Sequence, residues 1–270
     1  MLRLAAAVVA LVGACRDSDA PAASASAQAA STAATADDIA AAGEVVIAKP
    51  SGRYQADSAT AGGAITGTVT TSAPLAVGAP VSTGRDAAVC GPTIPDESVA
   101  QQGNGLGGAV VWLDDVRRGK PIPLERRLEL ESDRCRLVPR VQAAVVGSAV
   151  NVLGHDDFRQ HLRFIAGGER APRVTVLLDS DEQVIPTERP FAAPGLVVVR
   201  DTDHPWPTAF LAVFDHPYFA VTAPNGSFTI DRVPAGRYRM KVWHERTKVA
   251  EQTVDVGAGG TTVSVRLEAK

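Results

Sequence analysis

The sequence has few sulfur-containing and aromatic residues and none of the short motifs that mark common enzyme sites. Its 270 residues include 3 cysteines, 2 methionines and 5% aromatic residues. The cysteines show no CxxC-type spacing, which argues against a thiolate metal centre. The sequence has no GxSxG nucleophile turn, no HExxH pair and no phosphate-binding loop, so it predicts no enzyme activity. The net charge of −3, without a basic stripe, argues against nucleic-acid binding.

Long apolar runs are missing after the first 14 residues, so no later segment is predicted to cross a membrane. Met1–Arg3 carries a positive charge and Leu4–Ala14 is an apolar run. That run is too short to span a bilayer, which takes about 20 apolar residues. Residues 1–14 are therefore interpreted as a signal peptide.

The apolar leader stops at a cysteine that follows small residues. This segment, Leu11–Cys15, resembles a bacterial lipobox. The resemblance implies cleavage before Cys15 and attachment of a diacylglyceryl group to its sulfur, and several acyl chains give stable anchoring. The expected partner is then the membrane, and the expected location is the periplasmic or extracellular side of the cell envelope. The alternative is an ordinary secreted protein with a chance cysteine near its cleavage site.

Residues 15–62 are predicted to form the lipidated cysteine and a disordered tether. Ala, Ser, Thr and Asp dominate this segment, and it has too few large apolar residues to offset the entropy of ordering. A short run within it, Gly43–Ala48, is a candidate strand or docking segment.

Strand signals dominate the rest of the chain. They recur at a spacing of about 8–12 residues, with Gly, Pro and Asn turns between them, which is typical of a sandwich or barrel. The sequence therefore predicts an all-β protein of one large or two small domains. The predicted strands are Ala64–Thr70, Ala109–Leu113, Arg126–Glu131, Arg136–Val146, Ala149–Leu153, Arg173–Leu178, Leu196–Arg200, Ala209–Phe214, Tyr218–Thr222, Ser227–Asp231, Gly236–His244, Lys248–Asp255 and Thr262–Leu267.

Two cysteines remain if Cys15 carries lipid. In an oxidising compartment the default for Cys90 and Cys135 is a disulfide bond. Closing the loop between them would contribute about 4 kcal/mol of stability in the chain-entropy account. The alternative, two metal-binding thiolates, lacks the usual spacing.

Two turn-and-strand motifs follow each other in residues 215–270. Thr222–Ile230 contains Asn225-Gly226, which is expected to close a tight hairpin, and Val233–Val242 begins with a Pro–Gly turn. These motifs resemble the carboxypeptidase-regulatory-like module, a small transthyretin-like β-sandwich. The resemblance implies a module that is usually non-catalytic and is related to carbohydrate-binding-like folds. Fold alone does not give function, so sugar binding is only a weak implication.

A loop that bears histidine and tryptophan joins two predicted strands within Gly195–Val221. The loop runs from Asp201 to Pro207 and contains His204. This arrangement resembles the copper-binding hairpin of cupredoxin-like proteins, in which a Cys, a His and a Met lie close together on such a loop. Asp201 stands in place of the Cys and Pro207 in place of the Met. The resemblance therefore implies a copper-protein scaffold without its copper chemistry.

Upstream segments resemble the first part of the same family. They are Ala64–Val69, Gly107–Leu113, Cys135–Val141, Gly147–Val152 and His161. The resemblance implies that His161 takes the position of the first copper ligand, although Gly154 stands where the family pattern has Asn. Together the two resemblances predict a cupredoxin-like Greek-key β-sandwich at 63–214, followed by the transthyretin-like β-sandwich at 215–270.

The candidate ligands differ from those of a blue-copper centre, which needs two imidazoles, a thiolate and a weak axial ligand. His161, Asp201 and His204 would instead form a two-histidine, one-carboxylate set, which suits a divalent metal such as Zn or Cu. Asp203 is a rival carboxylate. The alternative that we favour is a degenerate site without a cofactor, in which the histidines make ordinary hydrogen bonds.

Two further groups allow a functional and a structural interpretation. His216 and His244 would form a second metal site, or a structural pair, if their strands pair. Trp206, Trp243 and Tyr218 would either stack on a ligand or pack at a domain junction.

The sequence thus predicts a non-catalytic cell-envelope lipoprotein with a binding or structural role. An envelope polysaccharide or another envelope protein is the expected partner. Two rival functions stay open, namely metal binding at the remodelled loop and carbohydrate binding by the module at 215–270.

Overall fold

The computed structural model describes residues 54–59, 61–167, 169, 172–179, 182–187 and 191–270, all of which belong to one compact unit, Ser31–Lys270. The predicted signal peptide, Cys15 and Gly43–Ala48 lie outside the described residues. Within the described ranges, no helix has the length and apolar character needed to span a membrane.

Strands form nearly all of the regular structure in these ranges. A 3-10 turn, Gly84–Asp86, leads into one short helix, α1, Ala87–Cys90. The strands are β1 Gln55–Ala56, β2 Gly63–Thr71, β3 Val81–Ser82, β4 Thr93–Ile94, β5 Ala100–Gln102, β6 Gly105–Gly107, β7 Val110–Leu113, β8 Arg118–Gly119, β9 Arg127–Asp133, β10 Arg136–Val138, β11 Val141–Val145, β12 Ala149–Gly154, β13 Gln160–Ala166, β14 Val174–Leu178, β15 Gln183–Pro186, β16 Gly195–Asp201, β17 Thr208–Phe214, β18 Phe219–Val221, β19 Ser227–Val233, β20 Gly236–Trp243, β21 Ala250–Val256 and β22 Thr261–Leu267. The predicted all-β class is confirmed, and each predicted strand within 63–270 overlaps an observed strand. The predicted strand Arg136–Val146 is divided into β10 and β11, which belong to different sheets.

The strands build two β-sandwiches. In the first, sheet 1 has the strand order β10-β9-β12-β15 and sheet 2 has the order β11-β17-β16-β13-β14. In the second, sheet 3 has the order β18-β7-β20-β21 and sheet 4 has the order β19-β2-β6-β5, with β22 parallel to β2. Two small ladders, β1-β8 and β3-β4, lie outside these four sheets.

The first sandwich is inserted into the second. Strands β7 and β18 are neighbours in sheet 3, where Trp112 lies opposite Phe219, although the whole first sandwich separates them in the chain. The sequence instead predicts one sandwich at residues 63–214 and the other at 215–270. The strand pairing differs because β2 pairs with β19 and β22, and β7 pairs with β18 and β20. Strands β2, β5, β6 and β7 therefore complete the second sandwich.

Three apolar layers hold the four sheets together. One lies inside the first sandwich and contains Leu162 and Phe164, and another lies inside the second and contains Ile65 and Met240. A third layer joins the outer faces of sheets 2 and 3, and its members are Val110, Trp112, Leu196, Val198, Phe210, Ala212, Phe214 and Trp243. Because sheet 2 is covered on both faces, every residue of β17 is buried. This double cover explains the unbroken apolar runs in the sequence, since a strand with only one buried face would alternate.

The expected Asn-Gly turn is present but does not close a hairpin within one sheet. Gly226 has φ +80° and donates from its N–H to the carbonyl of Ala223 at 2.7 Å. A Cβ at this position would lie 2.2 Å from the Val69 carbonyl oxygen, so the close backbone approach also requires glycine. The turn carries the chain from β18 in sheet 3 to β19 in sheet 4. Phe228 and Ile230 then both point into the core of the second sandwich.

A long excursion between β2 and β5, which we call the strap (residues 72–99), contacts both sandwiches. Its Cys90 Sγ lies 1.93 Å from the Sγ of Cys135, at disulfide-bonding distance, in the turn between β9 and β10. Arg136 of the first sandwich donates a hydrogen bond to Glu97 at 2.6 Å. Arg246 of the second sandwich donates to Ser98 Oγ at 3.1 Å. The strap therefore covers one end of the first sandwich while remaining bonded to the second.

Candidate functional site

The loop between β16 and β17 lies at the end of the first sandwich that the strap covers. The two strands are antiparallel neighbours, with Arg200 opposite Thr208, so the predicted pair of strands joined by the 201–207 loop is confirmed. Pro205 and Pro207 have no N–H to continue the ladder. Because β16 alternates between its two faces, Asp201 points to the interior face of the first sandwich together with Val197 and Val199.

Asp201 organises this loop through a fully buried side chain. Its Oδ1 accepts hydrogen bonds from the backbone N–H groups of His161 at 3.0 Å and Asp203 at 3.1 Å. Its Oδ2 lies 2.5 Å from Nδ1 of His204, and the carboxylate side chain has no exposed surface. Both carboxylate oxygens are thus used in holding the loop and the start of β13.

His204 lies between two carboxylates and two aromatic rings. Its Nδ1 faces Asp201, and its Nε2 lies 3.3 Å from Oδ2 of Asp86 in the strap. The imidazole packs edge-on against Phe158, with 4.9 Å between ring centroids, and at a tilt against Trp206, with 5.0 Å between centroids. A carboxylate oxygen therefore lies beside each of the two ring nitrogens of His204. The His204 side chain is 5% exposed.

His161 is close to this cluster in the backbone but directs its ring elsewhere. Its Nδ1 lies 2.5 Å from Oδ2 of Asp203, and both side chains are more than one-third exposed. The hydrogen bond from His161 lowers the pKa of the Asp203 carboxyl below its usual value. The structure therefore brings His161, Asp201 and His204 together, but the two rings bond to different carboxylates. Among the residues that the structure describes, no group of three or more His, Cys, Asp or Glu side chains is arranged to hold a metal ion.

The structure does not bring His216 and His244 together. Their strands do not pair, because β7 lies between β18 and β20 in sheet 3. Burial lowers the pKa of His216 to about 4, and its Nδ1 accepts from the Tyr218 N–H at 3.2 Å. Burial also lowers the pKa of His244 to about 4, and its Nδ1 accepts from the Arg246 N–H at 3.2 Å. Each histidine ring accepts a hydrogen bond within its own turn, one next to β18 and the other next to β20. These local bonds agree with a structural role for both histidines.

The candidate stacking residues occupy different environments. Trp243 is 2% exposed within the layer between sheets 2 and 3, and Tyr218 is 0% exposed in the core of the second sandwich. Neither ring is accessible to a ligand. Trp243 packs at the junction of the sandwiches, whereas Tyr218 packs inside the second sandwich and not at the junction. Trp206 is half-buried against His204.

Asp86 of the strap and the ring of Phe158 both contact His204, and the sequence predicts neither contact. Asp86 is far from the loop in sequence and precedes the unremarkable segment Ala87–Cys90. The predicted bond between Cys90 and Cys135 is the one sequence feature that places the segment around Asp86 near the first sandwich.

A groove at the junction of the two sandwiches was also missed. It has a volume of about 380 Å³ and is lined by the linker between β8 and β9, by β11, and by residues around β18 and β19. Its walls combine prolines and Phe219 with charged side chains, among them Arg126, Arg127 and Arg232. Because the linker, β11 and β18 are distant in sequence, no local motif marks this groove.

One protein-family model matches the chain, namely that of polysaccharide lyase family 4, domain II, over residues 195–264. The match begins at β16 in the first sandwich and continues into β22 of the second. No curated protein matches the chain.

Solved structures of copper proteins match about one-third of the chain. Cu-containing nitrite reductase from Thermus scotoductus SA-01 has a TM-score of 0.29 at 21% identity, covering 36% of this chain and 23% of that chain. A purple cupredoxin from Nitrosopumilus maritimus has a TM-score of 0.27 at 14% identity, covering 32% and 98%. Amicyanin from Paracoccus versutus has a TM-score of 0.28 at 18% identity, covering 34% and 84%. The chain thus spans less than one quarter of the nitrite reductase that it matches.

Proposed function

We propose that this protein is a non-catalytic lipoprotein of the bacterial cell envelope that binds or holds another envelope component. The lipobox-like segment Leu11–Cys15 supports the anchor, and the Ala/Ser-rich composition of residues 15–62 supports a tether. The end of that range belongs to the folded part instead, because β1, Gln55–Ala56, pairs with β8. One observation carries the non-catalytic assignment. The buried imidazole of His204 has Asp201 at one ring nitrogen and Asp86 at the other, and this arrangement supports a structural role for the ring.

The lipid anchor is tested by fractionation of cells that produce the wild-type protein or Cys15→Ser. We expect the wild type in the membrane fraction, and the variant in the soluble envelope fraction or the medium. Equal membrane association of both proteins would contradict the anchor, because the acyl chains require the cysteine sulfur.

Metal analysis of protein purified without chelators tests whether the 201–207 loop and His161 bind a metal ion. We compare the wild type, His204→Ala and a control variant of an exposed histidine outside the cluster, His155→Ala. We expect no stoichiometric metal in any of the three. One Zn or Cu per chain that disappears only in His204→Ala would instead favour the metal-binding function of His161, Asp201 and His204.

Polysaccharide binding is a second candidate function. The match to polysaccharide lyase family 4, domain II, over residues 195–264 supports it, since that segment includes β18 and part of the groove wall. A glycan array probed with the whole protein tests it, and a reproducible signal with any envelope polysaccharide would support it. A blank array would count against it and would leave a scaffold role or docking to another envelope protein.

A further inference from the structure

The junction groove has the size and composition of a ligand site. Its volume of about 380 Å³ falls within the range of small-molecule pockets, about 300–1,000 Å³. The linker that carries the chain from one sandwich to the other forms one wall, and buried Ala144 and Val145 of β11 form part of the groove. The groove is thus built from elements of both sandwiches that are fixed by their common apolar layer.

The charge of the groove is opposite to that of the whole protein. Four basic side chains and two carboxylates line it, whereas the formal net charge of the chain is −3. Lys120 and Arg232 both pair with the same carboxylate, that of Asp231. The local excess of positive charge favours an anionic ligand.

Arg126 and Arg127 supply most of that excess. Arg126 donates to the Val146 carbonyl at 3.3 Å, and Arg127 donates to Asn151 Oδ1 at 2.8 Å. Both side chains are exposed, and neither has a carboxylate partner among the described residues. A guanidinium group forms paired hydrogen bonds with a carboxylate, so these two residues are suited to bind one.

Three prolines and one aromatic ring contribute rigid surfaces to the apolar part of the groove. Pro121, Pro123 and Pro217 line it together with Phe219, whose ring is half-buried and stacks on Phe214 at 4.8 Å. A sugar ring has an apolar C–H face that packs against such surfaces. Prolines have no N–H, so at these positions the wall cannot donate the main-chain hydrogen bonds by which an extended peptide adds to a sheet. These walls therefore favour a glycan over a peptide.

We propose that this groove binds an acidic polysaccharide, with Arg126 and Arg127 holding its carboxylate groups and Phe219 contacting a sugar ring. This inference rests on the polysaccharide-binding candidate and adds the place of binding and the class of glycan. It also assigns a function to the inserted arrangement of the sandwiches, since separate sandwiches would not form the groove.

The test measures binding of oligogalacturonate to the full-length mature protein in detergent, by calorimetry at moderate salt. Neutral malto-oligosaccharide of the same length and poly-L-glutamate serve as the other two probes. We expect wild-type protein to bind oligogalacturonate at least about tenfold more tightly than either of the other probes, a difference of about 1.4 kcal/mol.

A pair of charge-matched variants locates the site. Arg126→Gln/Arg127→Gln removes two charges from the groove, and Lys248→Gln/Arg266→Gln removes two from exposed positions that do not line it. We expect the first variant to lose about tenfold or more in affinity and the second to stay within about twofold. Circular dichroism confirms that both fold, which is expected for exposed side chains.

Each contrary outcome overturns a defined part of the proposal. Equal losses in the two variants would mean binding by net charge rather than at the groove, and unchanged affinity in the groove variant would place the glycan elsewhere. Tight binding of poly-L-glutamate would make the ligand an acidic peptide. If no glycan binds the wild type, the polysaccharide candidate fails as well, whereas the envelope-anchor proposal is decided separately by the Cys15→Ser fractionation.

Discussion

Arg140 of the first sandwich forms a two-point ion pair with Glu245 of the second. Its Nε and Nη2 donate to the two carboxylate oxygens at 2.7 and 2.9 Å, and Nη1 donates to the Thr208 carbonyl at 3.1 Å. Burial alone would lower the pKa of Arg140, but Glu245 holds it above its usual value. The pair therefore joins the two sandwiches at the edge of their common apolar layer, where Arg140 also lies over the ring of Phe210.

Removing the charge of Glu245 is expected to destabilise the protein. Glu245→Gln leaves the mostly buried Arg140 without its counter-charge, and such a loss costs about 3 kcal/mol. The control is Glu268→Gln, which removes the partner of Lys248 from an exposed pair and is expected to cost less than about 1 kcal/mol. Urea denaturation followed by circular dichroism measures both. Similar small losses in the two variants would show that Arg140 and Glu245 do not hold the sandwiches together.

Stability is expected to fall as the pH drops below about 6.5, because of His216 and His244. Burial lowers the pKa of each from 6.5 to about 4 in the folded protein. A histidine with a lower pKa in the folded state takes up a proton on unfolding, so its contribution is complete above pH 6.5 and is lost towards pH 4. At pH 5 the contribution of each histidine to the free energy of unfolding is expected to be about 2 kcal/mol smaller than at neutral pH.

Urea denaturation at about pH 7.5 and pH 5 measures this dependence. In His216→Gln the difference between the two pH values is expected to shrink by about 2 kcal/mol. The exposed His155→Gln serves as the control and is expected to keep the wild-type difference. If His216→Gln shows the full wild-type difference as well, burial of that imidazole does not govern the acid sensitivity.

The strands that were predicted correctly are those with a simple burial pattern. Ala209–Phe214 is apolar throughout because both of its faces are covered, and Ser227–Asp231 alternates because sheet 4 has one exposed face. Strand β13 was missed because its alternation is obscured at both ends. Gln160 occupies an inward position that is usually apolar, and Ile165 occupies an outward one.

The sheet assignment and the partners of His204 depend on contacts that the sequence does not reveal. Local patterns place Ala64–Thr70 in a strand, but nothing in them selects β19 and β22 as its neighbours. Asp201 and His204 are three residues apart, so their contact could be anticipated from the loop. Asp86 reaches His204 only because the strap crosses between sandwiches, and that path is set by tertiary packing.

The Cys90–Cys135 pair is expected to hold the strap against the first sandwich. Cys90→Ser/Cys135→Ser should lower the free energy of unfolding by about 4 kcal/mol if the bond restricts the unfolded chain. Because Cys90 ends the helix that follows Asp86, the variant should also lose protection at the 201–207 loop. Hydrogen exchange of peptides covering 84–90 and 201–207 measures this, with Cys15→Ser as the control.

Non-reducing peptide mapping of the wild type provides the complementary measurement. It should yield one linked peptide that contains both Cys90 and Cys135 and that separates after reduction. Free thiols at both positions in protein from an oxidising compartment would contradict the pairing. Unchanged exchange at 201–207 in the double variant would instead show that Asp86 holds His204 without help from the sulfur link.

Trp243 is expected to stabilise the junction between the sandwiches rather than to contact a ligand. Its ring packs against Phe210 at 5.3 Å inside the layer that joins sheets 2 and 3. Trp243→Ala removes a large side chain from this layer, which costs about 3–5 kcal/mol. Trp206→Ala is the matched control, because that ring is only half-buried and lies on the 201–207 loop, so we expect a clearly smaller loss. Urea denaturation of both variants measures the difference. Equal losses would mean that Trp243 contributes no more stability than a partly exposed loop residue. The layer between sheets 2 and 3 would then not be the main contact between the sandwiches.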